Sequence, residues 1–407
     1  MKAAAAGATS ARVNRFLARL QPYPFDRLRA LLAGAAPPAL SPIRLSIGEP
    51  QHATPDLIRR ALVEHLDGLS TYPLTAGLDE LRQALAVWFV RRYALPRLDA
   101  ATEVLPVNGT REALFAFAQA VVDTSHPSPL VACPNPFYQI YEGAALLAGA
   151  EPVFLNQTAS GDFDLDLDSL TGDQWDRTQL MYVCSPGNPT GRVLTLDAWR
   201  AIFDRADRHG FVIAPDECYS EIYPDEAAPP LGALEAAHRL GRDGFRNLVV
   251  FTSLSKRSNA PGLRSGAVAG DATLLRQFLL YRTYHGCAMS PAVQHASIAA
   301  WNDEASVREN RDRYREKFAA VVPMLQPVLD VREPDAGFYL WARVPGDDDE
   351  RFARELFEAT HVTVLPGRYL AREAHGVNPG RGYVRMALVA DVRDCVEGAR
   401  RIVEFCR

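Results

Sequence analysis

Short apolar runs recur between residues 104 and 269, and helical patterns separate most of them. The runs are residues 104–107, 130–133, 152–155, 180–184, 211–214, 248–251 and 267–269. Amphipathic patterns fill intervals at 110–122, 137–147 and 196–209, the last stopping at Gly210, a residue suited to a left-handed helix end. Strands alternating with helices build βαβ units, and these build a mainly parallel sheet buried on both faces. The pattern predicts an α/β fold around a mainly parallel seven-stranded sheet in a large domain. No helix separates the last two runs, so they are expected to pair antiparallel. In open α/β sheets ligands bind in the crevice beyond the strand ends, so the loops there are where chemistry is expected.

The rest of the chain frames this core. Its 407 residues suffice for about two domains. Residues 12–32 read as a helical arm broken at Pro22-Tyr-Pro24, and 43–47 as a short strand ending in Gly48-Glu-Pro50. Thr54-Pro55-Asp56 has the signature of a helix start, with Thr54 as the capping hydroxyl. Tyr72 lies in an irregular loop before a second helix over 78–93. Beyond residue 274 long helical patterns cover 275–284, 291–302 and 307–325. β-rich pieces follow at 338–343, 362–365 and 383–388, then a closing helix over 392–405, together a smaller α+β domain. The expected division is an N-terminal arm with part of the small domain over 1–47, a large domain over 48–288 and a small C-terminal domain over 289–407.

Composition excludes several classes. A net charge of −5 with mixed signs gives neither a basic footprint for nucleic acid nor a polybasic membrane patch. No apolar run approaches membrane-spanning length. The six cysteines form no C-x-x-C pair, and most read as reduced core thiols of a cytoplasmic protein. The alanine-rich start, residues 1–11, is followed at once by Asn14, Arg15 and Arg19, which favours a frayed tail over a signal peptide. The aspartate-rich run 162–168 lacks the glycine and glutamate of a calcium loop and reads as an alternating edge segment, so no metal site is expected. The mixed-sign run 308–317 suits the solvated face of a helix. Neither a G-x-x-x-x-G-K-[ST] loop nor a G-x-G-x-x-G turn points to a nucleotide.

Five strand ends carry a chemical argument. Asn108-Gly109-Thr110 follows the first run and opens a helix. It is either a phosphate cup of N–H groups or ordinary capping. Tyr138, in Pro134-Asn-Pro-Phe-Tyr138, either stacks on a planar ring or packs under its loop. Ser185-Pro-Gly-Asn-Pro-Thr-Gly191 is more specific, because its prolines and glycines fix the backbone and present the Asn188 amide at one place. In Pro215-Asp-Glu-Cys-Tyr219, Asp216 ends a buried strand and needs a partner, either a protonated pyridine nitrogen or an arginine in the cleft. Tyr219 follows three residues on. Ser253-Leu-Ser-Lys256 sets an amine beside hydroxyls on a loop, with Arg264 eight residues on. Lys256 is either a solvated loop lysine or the amine of a Schiff base whose cofactor phosphate lies on Ser253 and Arg264. The set as a whole suits one small molecule, pyridoxal 5′-phosphate (PLP).

With these motifs, together with Gly262-Leu-Arg264 and Val384-Arg-Met-Ala-Leu388, the chain resembles the fold-type I PLP-dependent aminotransferases of class I and II, from about residue 42 to its end. The resemblance implies Lys256 as Schiff base and proton shuttle, Asp216 on the pyridine nitrogen, Asn188 and Tyr219 on the phenolate oxygen, and Tyr138 stacked on the ring. It implies a phosphate site of Gly109, Thr110, Ser253 and Arg264, completed by Tyr72 from a second copy in a homodimer. Arg385 is implied as the clamp on the substrate α-carboxylate, with Gly48 lining that site; a guanidinium fork matches two carboxylate oxygens as lysine does not.

A narrower resemblance, to bacterial succinyldiaminopimelate transaminases, rests on Pro22-Tyr-Pro-Phe-Asp-Arg-Leu-Arg29, Ser253-Leu-Ser-Lys-Arg-Ser-Asn259 and Tyr281-Arg-Thr-Tyr-His-Gly-Cys-Ala-Met-Ser-Pro291. It implies amino transfer between such an amino acid and 2-oxoglutarate, in lysine and cell-wall precursor synthesis. These substrates carry a distal carboxylate, for which Arg282 is a candidate across a dimer interface; an exposed helix-end arginine is the alternative. A PLP-dependent carbon–sulfur β-lyase shares the cofactor residues. A non-catalytic PLP-binding regulator fits less well, because no basic recognition helix precedes the domain.

Overall fold

The computed structural model describes residues 13–286 and 288–407. Strands are numbered along the chain: β1 Ile43–Arg44, β2 Val104–Val107, β3 Leu130–Asn135, β4 Glu151–Asn156, β5 Thr178–Cys184, β6 Val212–Asp216, β7 Val249–Ser253, β8 Gly266–Gly270, β9 Tyr339–Arg343, β10 Val362–Thr363, β11 Leu365–Pro366 and β12 Tyr383–Ala387. Among the described residues, β2 to β8 form one seven-stranded sheet in the order β2-β8-β7-β6-β5-β3-β4. The strands from β4 through β7 pair parallel, and β8 runs antiparallel to both β7 and β2. The fold is the expected α/β arrangement, including the antiparallel step.

Register fixes where the site lies. Cys184 pairs with Asp216, so the β5 and β6 ends are level, and Asp216 pairs with Phe251, two residues before the end of β7. Because β8 runs backwards, its first residue, Gly266, pairs with both Val107 and Ser253. The segment before β8, which carries Arg264, therefore arrives at the edge where β2 and β7 end. Parallel neighbours bring chemistry from distant sequence positions to one rim, as open α/β sheets do.

Apolar strands buried on both faces require helices on both faces. One core packs Trp88, Trp199 and Trp301 against Met181, Ile213 and Val250; the other packs Phe117, Tyr141 and Phe278 against Val131, Tyr182 and Phe251. A third core belongs to the small domain: Tyr314, Phe318 and Ile402 from its helices meet Leu340 and Met386 from its antiparallel sheet, β11-β12-β9. Ile43 and Leu45 join that core, and β1 pairs with β10, so the start of the chain is stitched to its end.

Several local expectations change. The helix Pro291–Trp301 packs Ala296, Ala300 and Trp301 into the first core, so a division at 288/289 cuts through the packing of the large domain. Thr54 does not cap the helix Asp56–Glu64; its hydroxyl donates to the Asn259 carbonyl at 2.6 Å, and Pro55 stands at the cap. The run 162–168 is a turn with a 3₁₀ piece, and its acids meet arginines: Asp162 with Arg192 and Arg332, Asp164 with Arg192, Asp168 with Arg205. The run 308–317 is not wholly solvated, because Asn310, Arg311, Tyr314 and Lys317 are buried on one side of the helix Ala305–Leu325. Lys256 sits on a one-turn helix, Leu254–Arg257, rather than a loop. Cys133, Cys184 and Cys395 are buried thiols, whereas Cys218 lines the cavity described below. The expected tail over 1–11 and the thiol of Cys287 fall outside the described residues.

Candidate active site

Beyond the ends of β2, β6 and β7 lies a cavity of about 500 Å³. Lys256, Asp216, Tyr219, Thr110, Tyr138, Asn188, Ser253, Arg264, Gly48 and Arg385 all line it. Residues from five strand ends and the small domain thus meet in one space.

Asp216 is the last residue of β6 and is buried. One carboxylate oxygen accepts from the Tyr141 hydroxyl at 2.9 Å, the other from the Cys218 N–H at 3.3 Å. Burial holds its pKa above the usual carboxylate value, and the charge of Lys256 acts in the opposite direction. Lys256 donates from Nζ to the Gly48 carbonyl at 2.6 Å. Burial pushes its pKa down to about 8. The two groups therefore face one space as an unpaired buried acid and an amine close to deprotonation, the kind of perturbed set that marks functional sites. The Tyr219 hydroxyl lies 3.1 Å from that of Tyr339, and burial raises its pKa well above the ordinary phenol value.

At the phosphate end, Gly109 has φ of +87° and stands before the helix Thr110–Val121. A Cβ at Gly109 would overlap the Arg264 guanidinium, so only glycine allows this approach. Arg264 itself donates to the carbonyls of Pro261 and Asn108. The Thr110 hydroxyl is 3.0 Å from Cys218 Sγ, which is 3.6 Å from the Ser253 hydroxyl. At the other end, Arg385 donates from Nη1 to Asn188 Oδ1 at 3.0 Å and from Nη2 to the Ser46 carbonyl at 2.8 Å, over the Tyr339 ring. Its Nε is buried and, among the described residues, has no hydrogen-bond partner. Among the described residues, Arg264, Arg385 and a third lining arginine, Arg111, form no ion pair with a carboxylate. A cavity walled by three such cations suits a ligand with several anionic groups.

These features fit PLP. A cationic ring nitrogen would compensate buried Asp216, and a phosphate would meet a helix N-terminus, two hydroxyls and Arg264.

Two expected residues lie elsewhere. Arg282 does not reach the cavity, and it is not exposed either: it is buried in the helix Ala272–His285 and pairs with Glu112 at 2.6 Å. The assignment to a distal carboxylate is therefore corrected. Tyr72 is fully exposed and outside this cavity. Sequence reading missed Tyr141, Tyr339 and Arg111. Tyr141 is a helical turn beyond Tyr138, and Arg111 follows Thr110, so both were within reach of a helical-spacing argument. Tyr339 comes from β9 of the small domain, and no local signal points to it.

The family model for class I and II aminotransferases matches residues 41–400. An LL-diaminopimelate aminotransferase from Maridesulfovibrio salexigens is 32% identical over 397 residues, covering 95% of this chain and 97% of that one. Among solved structures, an aminotransferase from Neisseria meningitidis superposes with a TM-score of 0.94 at 56% identity, over 97% of this chain and 100% of the other. A probable N-succinyldiaminopimelate aminotransferase from Thermus thermophilus superposes with a TM-score of 0.82 at 26% identity, over 94% and 100%.

Proposed function

The chain belongs to the class I and II aminotransferases, and on that premise we propose that it uses PLP to move an amino group from a dicarboxylic amino acid of the diaminopimelate type to 2-oxoglutarate. The observation that carries this reading is the shared cavity: the Lys256 amine, the Asp216 carboxylate and the Arg385 guanidinium line the same walls. When bound, PLP supplies an aldehyde for amine exchange and a ring that takes up the electron pair left by the departing α-proton.

The chain's own residues do the rest. Lys256 Nζ, with a pKa of about 8, is placed to take the proton from the substrate Cα. The Asp216 carboxylate would keep the ring nitrogen protonated, and the Asn188 amide and Tyr219 hydroxyl would hold the phenolic oxygen. Gly109, Thr110, Ser253 and Arg264 would hold the phosphate, and Tyr138 would face the ring. Arg385 exchanges its bonds to Asn188 and Ser46 for the α-carboxylate, with its unpartnered Nε available to complete the fork.

The distal carboxylate is assigned to Arg111. Its Nε donates to the Tyr138 hydroxyl at 2.6 Å, and its Nη2 lies 3.4 Å from that of Tyr23. The narrower resemblance favours N-succinyl-diaminopimelate as donor. The name of the Maridesulfovibrio relative favours the unsuccinylated LL form. Tyr72, with exposed Leu69 and Leu74 beside it, is assigned to the partner's phosphate site in a homodimer, and the site of action to the cytoplasm.

A panel of amino donors with 2-oxoglutarate tests the reading: N-succinyl-diaminopimelate, LL-diaminopimelate, aspartate, alanine and an aromatic amino acid, followed by glutamate formation. Either diaminopimelate donor should turn over fastest, and Arg111→Met should raise its KM about tenfold while leaving that of alanine in place. Release of 2-oxo acid without an acceptor would favour a β-lyase instead.

A further inference from the structure

Lys317 is a lysine with 2% exposure, yet among the described residues it forms no ion pair with a carboxylate. A buried ammonium without one is costly. Its Nζ lies 2.7 Å from His52 Nε2. His52 Nδ1 lies 2.8 Å from Asn310 Oδ1, and Asn310 Nδ2 points to the Lys256 carbonyl at 3.4 Å. Asn259 Nδ2 also donates to Asn310 Oδ1, at 3.0 Å.

With Lys317 as an ammonium, one assignment of protons satisfies all of these contacts. An ammonium has donors and no acceptor, so His52 Nε2 accepts. The ring proton is then on Nδ1 and donates to Asn310 Oδ1, which the Asn259 amide also requires to be an acceptor. The Asn310 amide nitrogen is thereby turned toward Lys256. The row runs Lys317 to His52 to Asn310 to the main chain of Lys256, with every link directed the same way. His52 also lies four residues beyond Gly48, whose carbonyl accepts from Lys256 Nζ. The row thus reaches the one-turn helix of Lys256 through Asn310, and the Gly48 loop through the chain itself. Lys317 and Asn310 both stand on the small-domain helix Ala305–Leu325, about two turns apart, and His52 bridges them.

We propose that His52 and Lys317 are positioning residues for the Lys256 amine, acting by orienting Asn310, which links the small-domain helix to the turn that carries the amine; this rests on Lys256 being the reacting amine. The tilted stack of His52 on Tyr314, 5.0 Å between centroids, holds the ring in place. The charged and titratable groups around the pair are Arg313 and Glu316 on the same helix and Asp391 and Cys395 at the start of the closing helix. Burial, Lys317 and Arg313 hold the His52 pKa below the usual imidazole value. As pH falls through that pKa, His52 gains a proton on Nε2, ceases to accept from Lys317 and faces a like charge. The row breaks on the acid side.

The test uses His52→Phe, His52→Gln and Lys317→Met, with Lys256→Ala as reference. Phenylalanine keeps the stack on Tyr314 and removes the bonds. Glutamine keeps one donor and one acceptor and cannot titrate. In the holoenzyme, H52F and K317M should lose about tenfold in kcat with KM for the amino acid nearly unchanged, the signature of a misplaced reacting group. H52Q should restore most of that loss and flatten the acid limb of the kcat profile. In the cofactor-free chain, labelling of Lys256 by an amine-reactive ester, read by peptide mass spectrometry, should change in H52F and K317M and recover in H52Q. Wild-type kcat, pH profile and labelling in both H52F and K317M would overturn the proposal, as would equal losses in H52F and H52Q. If H52F does not fold, K317M carries the same comparison against H52Q. Full turnover by K256A would overturn the reading of Lys256 beneath it, an outcome separate from failure of the relay variants.

Discussion

Lys256 and Arg282 illustrate how much a single side chain owes to its surroundings. Both are cations read from sequence as site residues. Burial lowers the Lys256 pKa from 10.5 to about 8. A base whose folded pKa is depressed makes the fold gain stability as pH rises between the two values, because the unfolded chain still binds the proton there. In the cofactor-free chain the melting temperature of wild type should therefore approach that of Lys256→Met as pH rises from about 8 to about 10.5. A constant gap across that window would refute the assignment. Arg282, in contrast, has its charge met by Glu112 inside the protein. Arg282→Met should cost about 3 kcal/mol of stability, as removal of one partner from a buried pair does, and leave KM for a distal carboxylate unchanged. Urea unfolding and steady-state kinetics on the same variant separate the two effects. The sequence places Arg282 in a helix but cannot say that Glu112, 170 residues away, lies beside it.

At the scale of elements, the phosphate end is built by register. Gly266 pairs with Val107 on one side and Ser253 on the other, which delivers Arg264 to the helix that begins after Gly109. Gly109→Ala would need φ near +87° from an L-residue and would drive the Arg264 guanidinium aside. The expected result is a loss of PLP affinity of about tenfold or more by fluorescence titration, with the far-UV spectrum retained. Thr54 teaches the converse. Its capping signature is sound locally, but the cap position falls on Pro55, one residue further on, and the Thr54 hydroxyl instead donates to the Asn259 carbonyl. Capping patterns are propensities of one segment, and a one-residue shift of the helix start removes the side chain from the cap.

The whole molecule is two packed units sharing one cavity, with the chain's start bound into the small domain by β1 and β10. The small domain contributes Arg385 and Tyr339 to a site otherwise made by the large one. An exposed run, Leu66, Leu69, Tyr72 and Leu74, leaves one edge apolar. If Tyr72 completes the partner's phosphate site, Tyr72→Ala should weaken PLP binding while sedimentation still shows a dimer. A monomeric wild-type species at working concentration with full PLP affinity would refute that role.

The strand count, the antiparallel last step, the strand-end motifs and eight of the residues lining the cavity were legible in the sequence, while Gly48 and Arg385 came from the family resemblance. The reason is physical: alternating periods of two and 3.6, breaks at glycine and proline, and costly residues at strand ends are local signals. Tertiary structure alone decided which charges are neutralised inside, as for Arg282 and Lys317. It also decided that Pro291–Trp301 belongs to the large domain's core, and that Tyr141, Tyr339 and Arg111 join the site. Those outcomes depend on contacts between segments far apart in the chain, where the low dielectric of a packed interior makes the partner, rather than the residue type, set the energy.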